Sequence, residues 1–570
     1  MSNILRMSLE SKREWILPKK TKKDFVDYLL ESRKIFKKDD FLNPSISQIY
    51  PWKKLHDSRK AAKSLLESVE NGEKIVIHAD YDADGICACS LLWDFLYRDL
   101  AKHLKKEISV LPYIPNRIEQ GYGLTEDSLK DVLDLGAQLV ISVDCGVRDK
   151  ELIKKFRSER SLKFVITDHH QPPEGVLENL DYPLVHQMYP GKEYPQREIC
   201  GTAVVFLLIQ AIKELAGMES KISESTKGLD LVALATVTDI MPLVDINRVF
   251  VSYGLKQIRE YKRIGLRSLI LRAGIEPKDI EAYHLGYIIG PRINAAGRIG
   301  SPMEAVRLLV SEDESKCKEI SNELENLNFD RQKITQEILE KAKESVNPDS
   351  KLISIIGKDW HEGVIGLVAG KLQEEYYRPV LVATENEGVI KGSARSISGF
   401  NITKALEKFS KYLYRYGGHE LAAGFTLKIE ESERFVNEIT EYAEKKISDE
   451  QLKPKLNIDL ALETEDISYD FIHRLKLLEP FGFGNPKPTI CLQNLIIVKK
   501  NVIGKESNHL KLLVKGNGID LLPLLLFGCQ DDVEKLNIDD SIDVVGYPDI
   551  NVWNGNESIQ FNVKEWRFSK

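Results

Sequence analysis

Cysteine is scarce and unpaired in this 570-residue chain: there are seven, none in a Cys-x-x-Cys spacing, and only Cys87 and Cys89 lie close together. An odd, scattered set is neither a disulfide framework nor a zinc finger, and it suits a reducing cytosol. Long hydrophobic runs are missing too. None approaches the roughly 20 apolar residues that a membrane helix needs, and the first residues, Met1 to Arg6, lack the apolar core of a secretory signal. A cytoplasmic protein with no membrane partner is therefore expected. There is no internal repeat, low-complexity tract or sustained heptad, which leaves a monomer as the default. Also lacking is the excess of positive charge that usually marks a nucleic-acid binder: 80 Lys and Arg face 87 Asp and Glu, for a formal charge of −7. A local cationic groove remains compatible with that balance, and charge runs such as Lys19 to Lys23 read as solvated surface.

What is present divides along the chain. At this length about three domains are expected. Residues 1–44 are polar and helix-prone, an N-terminal extension with no assigned role. Residues 45–312 alternate apolar strand runs with helical patterns, the signature of a mainly parallel α/β sheet with helices on both faces. In 313–348 the spacing of Ile320, Leu324, Leu327, Ile334, Ile338 and Leu339, with no proline before Pro348, predicts a long connecting helix. Residues 349–450 form a smaller α/β unit with strands at Leu352 to Ile356 and Val380 to Ala383. Residues 451–570 change to short strands broken by Gly, Asn and Pro, which suggests a small β-barrel.

The chemistry concentrates at the ends of three apolar runs. Lys74 to His78 leads into Asp80, Asp82, Asp84 and Gly85; Leu139 to Val143 leads into Asp144; Phe164 to Thr167 leads into Asp168, His169 and His170; Asp239 follows later. Such runs read as buried parallel strands, and ligands of open α/β sheets bind at the carboxyl ends of the strands. So many carboxylates in one crevice repel one another unless protons or cations compensate. With imidazoles added and no cysteine spacing, Mn²⁺ or Mg²⁺ is the expected occupant.

The motif Asp80-Tyr-Asp82-Ala-Asp84-Gly85 with Asp168-His169-His170 resembles the DHH phosphoesterase superfamily. Further motifs narrow the resemblance to the RecJ single-strand-specific exonucleases. These are Pro115-Asn116-Arg117, Gly121-Tyr122-Gly123-Leu124, Thr236 to Leu243, Gly290 to Arg298, Gly392 to Ser396, Gly417-Gly418-His419 and Ala422 to Thr426. They occur in family order over roughly residues 45 to 570. The resemblance implies a DHH catalytic domain at 45–312, a DHH-associated domain at 349–450 and an oligonucleotide-binding (OB-like) barrel at 451–570.

It also implies roles. His78 and Asp82 hold one divalent cation, preferably Mn²⁺, while Asp84, His169 and Asp239 hold a second, and Asp144 bridges the two. Asp80 orients a ligand or the attacking water, and His170 protonates the leaving oxygen. For phosphate contact, guanidinium groups beside turn-like residues are the natural clamps: Arg117, Arg292, Arg298 and Arg395. Asn294, Ser393, Gly417, Gly418 and His419 join them from the same motifs. The barrel aromatics Phe481, Phe483, Phe527, Tyr547 and Trp553 are candidates for base stacking. The implied activity is a 5′-to-3′ exonuclease that releases mononucleotides from single-stranded DNA in repair and recombination, alongside a helicase and a single-strand-binding protein. Two alternatives stand beside it. One is a DHH phosphodiesterase acting on short oligonucleotides or cyclic dinucleotides; the other is a non-catalytic replication or repair protein. Two positions depart from the family pattern, Cys87 and Gln120, and neither is a proposed ligand. Cys87 reads as a small buried filler or as an oxidation-sensitive thiol.

Overall fold

The apolar runs that precede the acidic residues form the middle of a parallel sheet. In the computed structural model, which describes residues 8–19, 23–117, 119–218, 226–260, 262–386, 388–504, 507–516, 521–553 and 555–569, five strands lie in the order Val110–Tyr113, Ile75–Ala79, Leu139–Val143, Lys163–Thr167, Leu184–Val185. All neighbours pair in parallel. Part of the Lys19 to Lys23 run lies outside the described residues.

Alternation along these strands divides the side chains between two faces. Ile75, Ile77, Leu139, Ile141 and Val143 join a large core with the helices Ala83–Asp94, Gly201–Leu215 and Leu229–Thr238. Val76, Val140, Phe164 and Ile166 join the opposite core, with Leu129, Val132, Ile153 and Phe156 of two amphipathic helices. Gly201–Leu215 is apolar nearly all round and correspondingly buried through Lys213.

The helix Glu314–Lys343 runs 30 residues, about 45 Å at 1.5 Å per residue. Its start is capped by Asp313, whose carboxylate accepts from the Ser315 and Lys316 amides. One part packs on the helices Ile264–Arg272 and Gly290–Ile299 of the first unit, and another on Glu362–Tyr376 of the following unit. There, five strands lie in the order Leu413–Gly418, Ala422–Leu427, Val389–Arg395, Val380–Asn386, Ile353–Lys358, antiparallel except for the last pair.

The C-terminal strands close on themselves. Ile490–Ile503, His509–Lys515, Leu521–Leu526, Asn556–Phe568 and Ser541–Trp553 form a ring, completed by pairing of the last with the first. Closure of this kind removes sheet edges within the ring, which Leu460–Leu462 flanks as a short sixth strand parallel to Ile490–Leu492.

The start of the chain, which has no assigned role in the sequence, is built into this barrel. Glu14–Ile16 pairs with Lys455–Asn457, and Leu9, Val26, Leu29, Leu30 and Phe41 enter the barrel core. Arg248, only 2% exposed, ties three parts together. Its guanidinium lies 3.8 Å from the Phe41 ring centroid and donates to the carbonyls of Phe41, Leu477, Leu478, Glu479 and Pro480. The barrel is thereby fixed against the unit that carries the parallel sheet. Among the described residues no helix is long and apolar enough to cross a membrane.

Candidate metal centre

Each acidic residue is placed by a strand end or helix end. Asp82 is the N-cap of Ala83–Asp94 and accepts from the amides of Asp84 (2.9 Å) and Gly85 (3.1 Å). A Cβ at Gly85 would collide with the Asp80 carbonyl, so the tight turn needs glycine. Asp144 ends its strand at φ +62°, a left-handed conformation that a non-glycine residue adopts at a cost, and one typical of functional sites. Asp239 caps the carboxyl end of Leu229–Thr238.

These residues converge. His169 Nε2 lies 3.1 Å from Asp144 Oδ1, 3.5 Å from Asp239 Oδ2 and 3.8 Å from Asp84 Oδ2. Three groups have ligand atoms within 4.8 Å of one another: Asp80, Asp82 and Asp144; Asp84, His169 and Asp239; Asp144, His169 and His170. Asp144 belongs to two of them. Its Oδ1, His169 Nε2 and Asp239 Oδ2 are shut away from solvent without a hydrogen-bond partner. A buried polar atom left so costs about 1–3 kcal/mol, and three that face one another mark a position for something charged. Burial and mutual repulsion push the carboxyl groups of Asp80, Asp144 and Asp239 well above the usual range and raise that of Asp82. Burial lowers the His169 imidazole. A neutral imidazole among carboxylate oxygens, with no cysteine in any of the three groups, fits Mn²⁺ or Mg²⁺.

His78 is not brought into this group. Strand alternation turns it, like Val76, toward the helix Glu126–Asp134, where Nε2 meets Ser128 Oγ at 3.1 Å and Nδ1 meets Cys145 Sγ at 3.7 Å. Burial depresses its pKa to about 4. Asp80 takes the place beside Asp82 that the resemblance gave to His78, because it lies past the strand end where the chain turns into the crevice. His170 pairs through Nδ1 with Asp168 Oδ1 at 2.8 Å. Burial opposes its charge, but the bond to Asp168 and the negative fields of Asp168, Asp239 and Asp80 prevail and raise it to about 9. Asp168 also accepts from the amides of Val147, His169 and His170.

Two supports are revealed by the fold, one at residues the sequence did not single out and one in a different role from that expected of Asn294. The amides of Gly201 and Thr202 bind Asp84 Oδ2 and Oδ1 at 2.6 and 2.7 Å, and Thr202 Oγ1 adds a bond of 2.6 Å. A Cβ on Gly201 would stand 2.6 Å from Asp144 Oδ1. On the other side, Asn294 Oδ1 accepts from the Ala83 amide at 2.7 Å, and Gly297 lets its helix approach the Tyr81 carbonyl. Asn294 is thus bound to the protein backbone rather than free for phosphate.

A cleft of about 550 Å³ adjoins the centre, between the catalytic unit and the second sheet; Arg117, Arg298, Ser393, Arg395, Gly417 and Gly418 contribute to its walls. Arg117 lies 4.9 Å from the Tyr81 ring centroid, within the acidic loop itself. Arg298 donates to the Gly363 carbonyl at 2.9 Å, and Arg395 to Ser393 Oγ and the Ala394 carbonyl at 3.1 and 2.8 Å. None of the three has a carboxylate in ion-pair range among the described residues. Burial and the charges of Arg117 and Arg331 push Arg298 down to about 10, and burial with Arg117 lowers Arg395. Uncompensated guanidiniums crowded together make an anion site.

Other candidates lie elsewhere. Arg292 is engaged by Glu325, at 2.5 and 3.1 Å, and by the Ile288 carbonyl. His419 is exposed in a turn, with its amide on the Ala422 carbonyl, and does not line the cleft. In the barrel, Phe481 and Tyr547 pack edge to face, whereas Phe483 and Phe527 are exposed. The side chain of Trp553 lies outside the described residues. Cys87 is wholly buried, and burial raises its thiol pKa, which fits the filler reading.

Three family models match the chain: the DHH family N-terminal domain at residues 74–236, the DHHA1 domain at 349–445 and the RecJ OB domain at 458–565. A single-stranded-DNA-specific exonuclease RecJ from Bacillus subtilis (strain 168) is 33% identical over 92% of this chain, which spans 65% of that protein's length. A protein of the same name from Haemophilus influenzae (strain ATCC 51907 / DSM 11121 / KW20 / Rd) is 30% identical over 90% of this chain and 88% of its own. The crystal structure of RecJ in complex with Mn²⁺ from Thermus thermophilus superposes with a TM-score of 0.82 at 27% identity, over 98% of this chain and 80% of that one.

Proposed function

The chain belongs to the RecJ family of single-stranded-DNA-specific exonucleases, and on that basis we propose that it is a metal-dependent exonuclease. It degrades single-stranded DNA from the 5′ end to mononucleotides, in repair and recombination. The observation that carries the reading is the set of three buried, unpartnered atoms, Asp144 Oδ1, His169 Nε2 and Asp239 Oδ2, facing one another within a ring of carboxylates.

Asp80, Asp82 and Asp144 would hold one divalent cation, and Asp84, His169, Asp239 and Asp144 a second. The chemistry such cations supply is neutralisation of phosphate charge and acidification of water. The chain's own groups do the rest. Gly201 and Thr202 fix Asp84, Asn294 fixes the loop before it, and Asp168 keeps His170 charged at neutral pH, 3.9 Å from Asp144. His170 donates a proton to the departing oxygen. Arg117, Arg298 and Arg395 hold phosphate beside the centre, and the barrel extends the contact with the strand. The ion is Mn²⁺, the preferred one in this reading, or Mg²⁺; the Thermus thermophilus protein is found in complex with each. A monomer in the cytoplasm, working beside a helicase and a single-strand-binding protein, completes the reading.

The test is Mn²⁺-dependent digestion of a single strand labelled at either end, beside a duplex and a cyclic dinucleotide. Mononucleotide release from the 5′ end of the single strand alone is the expected result. Preference for the cyclic dinucleotide, or release from the 3′ end, contradicts it.

A further inference from the structure

A second basic cleft, of about 700 Å³, lies on the catalytic unit and takes no part in the centre described above. Lys54, Arg59, Lys63 and Lys192 contribute to its lining without a carboxylate in ion-pair range among the described residues; of the other two lysines in its walls, Lys53 pairs with Glu214 and Lys60 with Asp57, the one acid of the lining. Three of these cations are held by rings rather than by acids. Arg59 Cζ lies 5.3 Å from the Trp52 ring centroid, Lys54 Nζ 5.5 Å from that of Tyr50 and Lys192 Nζ 5.9 Å from that of Tyr189. A cation–π contact orients a cation without cancelling its charge. With six cations and one acid in its walls the cleft is positive, and ring contacts orient three of its exposed cations.

Its place in the fold connects it to the centre on one side and to the barrel on the other. Tyr189 stacks on His56 at 3.5 Å and belongs to the loop whose His186 and Gln187 side chains bind the carbonyls of His170 and His169. Tyr50 donates to Asp245, which follows the Pro242 to Val244 segment that touches the barrel turn at Phe483.

We infer that this cleft, resting on the nuclease reading above, is an auxiliary binding surface for the phosphate backbone of the single strand outside the catalytic cleft. The lining favours a nucleic-acid backbone over an acidic peptide. Its apolar members Trp52 and Leu55 are 4% and 2% exposed, so it offers charge and no open pocket for an apolar anchor residue.

The experiment compares the wild type with Arg59→Gln/Lys63→Gln and Arg59→Glu/Lys63→Glu in Mn²⁺-dependent digestion of a long strand and a short oligonucleotide, across a salt series. Turnover of the short oligonucleotide is unchanged in both variants, which also shows that they fold. For the long strand KM rises about tenfold in the Glu pair and less in the Gln pair. The salt dependence of binding flattens by about 1.4 log–log units for the two lost contacts. An unchanged KM and salt slope for the long strand overturns the inference. So does loss of binding to a polyglutamate peptide with long-strand KM intact, which assigns the cleft to a protein partner. Failure of the wild type to cut any single strand overturns the nuclease reading instead.

Discussion

The side chain of Asn294 accepts the backbone N–H of Ala83 at 2.7 Å, across 211 positions of sequence. This bond pins the loop carrying Asp80 and Asp82 to the helix Gly290–Ile299, so a motif that looks like a phosphate clamp works as a brace. Asn294→Ala leaves the Ala83 amide unpaired in a crowded place, which costs about 1–3 kcal/mol. The expected outcome is weaker Mn²⁺ binding by calorimetry and a fall of about tenfold or more in kcat. Asn294→Asp, which keeps an acceptor, recovers part of both. Loss expressed only in KM for DNA would restore the clamp role.

Gly201→Ala is expected to be more damaging than its size suggests. The added methyl would stand 2.6 Å from Asp144 Oδ1 and 2.8 Å from its Cβ, so either Asp144 or the helix start must move. Loss of Mn²⁺ binding together with activity, in a protein that still unfolds cooperatively, is the expected pattern. Normal metal titration would mean that the helix yields without disturbing the ligands.

Arg395→Ala should spare the metals. Its guanidinium faces the cleft and rests on Ser393 and the Ala394 carbonyl, so the variant is expected to raise KM for a 5′-phosphorylated strand about tenfold or more while Mn²⁺ affinity stays unchanged. A charge-assisted contact of about 1.5–3 kcal/mol supports that magnitude. Lost Mn²⁺ binding would move Arg395 from the substrate to the metal support.

His78 gives a test in stability. Its folded pKa of about 4 lies below the ordinary 6.5, so below pH 6.5 the unfolded chain takes a proton that the folded chain refuses. Stability from this group is complete above about pH 6.5 and declines as pH falls toward 4, by about 2 kcal/mol between pH 6.5 and 5. Urea unfolding of the metal-free protein should show that decline in the wild type beyond any in His78→Gln. Equal slopes in the two proteins would contradict the buried neutral imidazole.

The acidic centre was legible because its residues follow apolar runs, and the architecture of a parallel sheet brings the ends of such runs together. The same runs concealed the misplacement of His78. Strands buried on both faces are apolar at every position, so Lys74 to His78 carries no alternation to show which way His78 points. Asn294 and Gly201 were opaque for another reason: each meets its partner across more than fifty residues, and nothing local marks an amide that will need an acceptor or a helix start that must touch a carboxylate. The first 44 residues likewise looked detached, although Leu9, Val26, Leu29, Leu30 and Phe41 complete a core whose remaining buried members begin at Leu460. Arg292 and Arg298 read alike in the sequence, and only the fold supplies Glu325 to one and leaves the other, among the described residues, without a carboxylate in ion-pair range.

The most direct test is Asp144→Ala, since Asp144 belongs to both the Asp80–Asp82 group and the group containing His169. Mn²⁺ calorimetry and single-strand digestion are measured on one preparation, with the unfolding temperature as a check on folding. The expected result is a folded protein with sharply weakened Mn²⁺ binding and no detectable release of mononucleotides. A variant that still digests single-stranded DNA at near wild-type rate would contradict the metal centre as described.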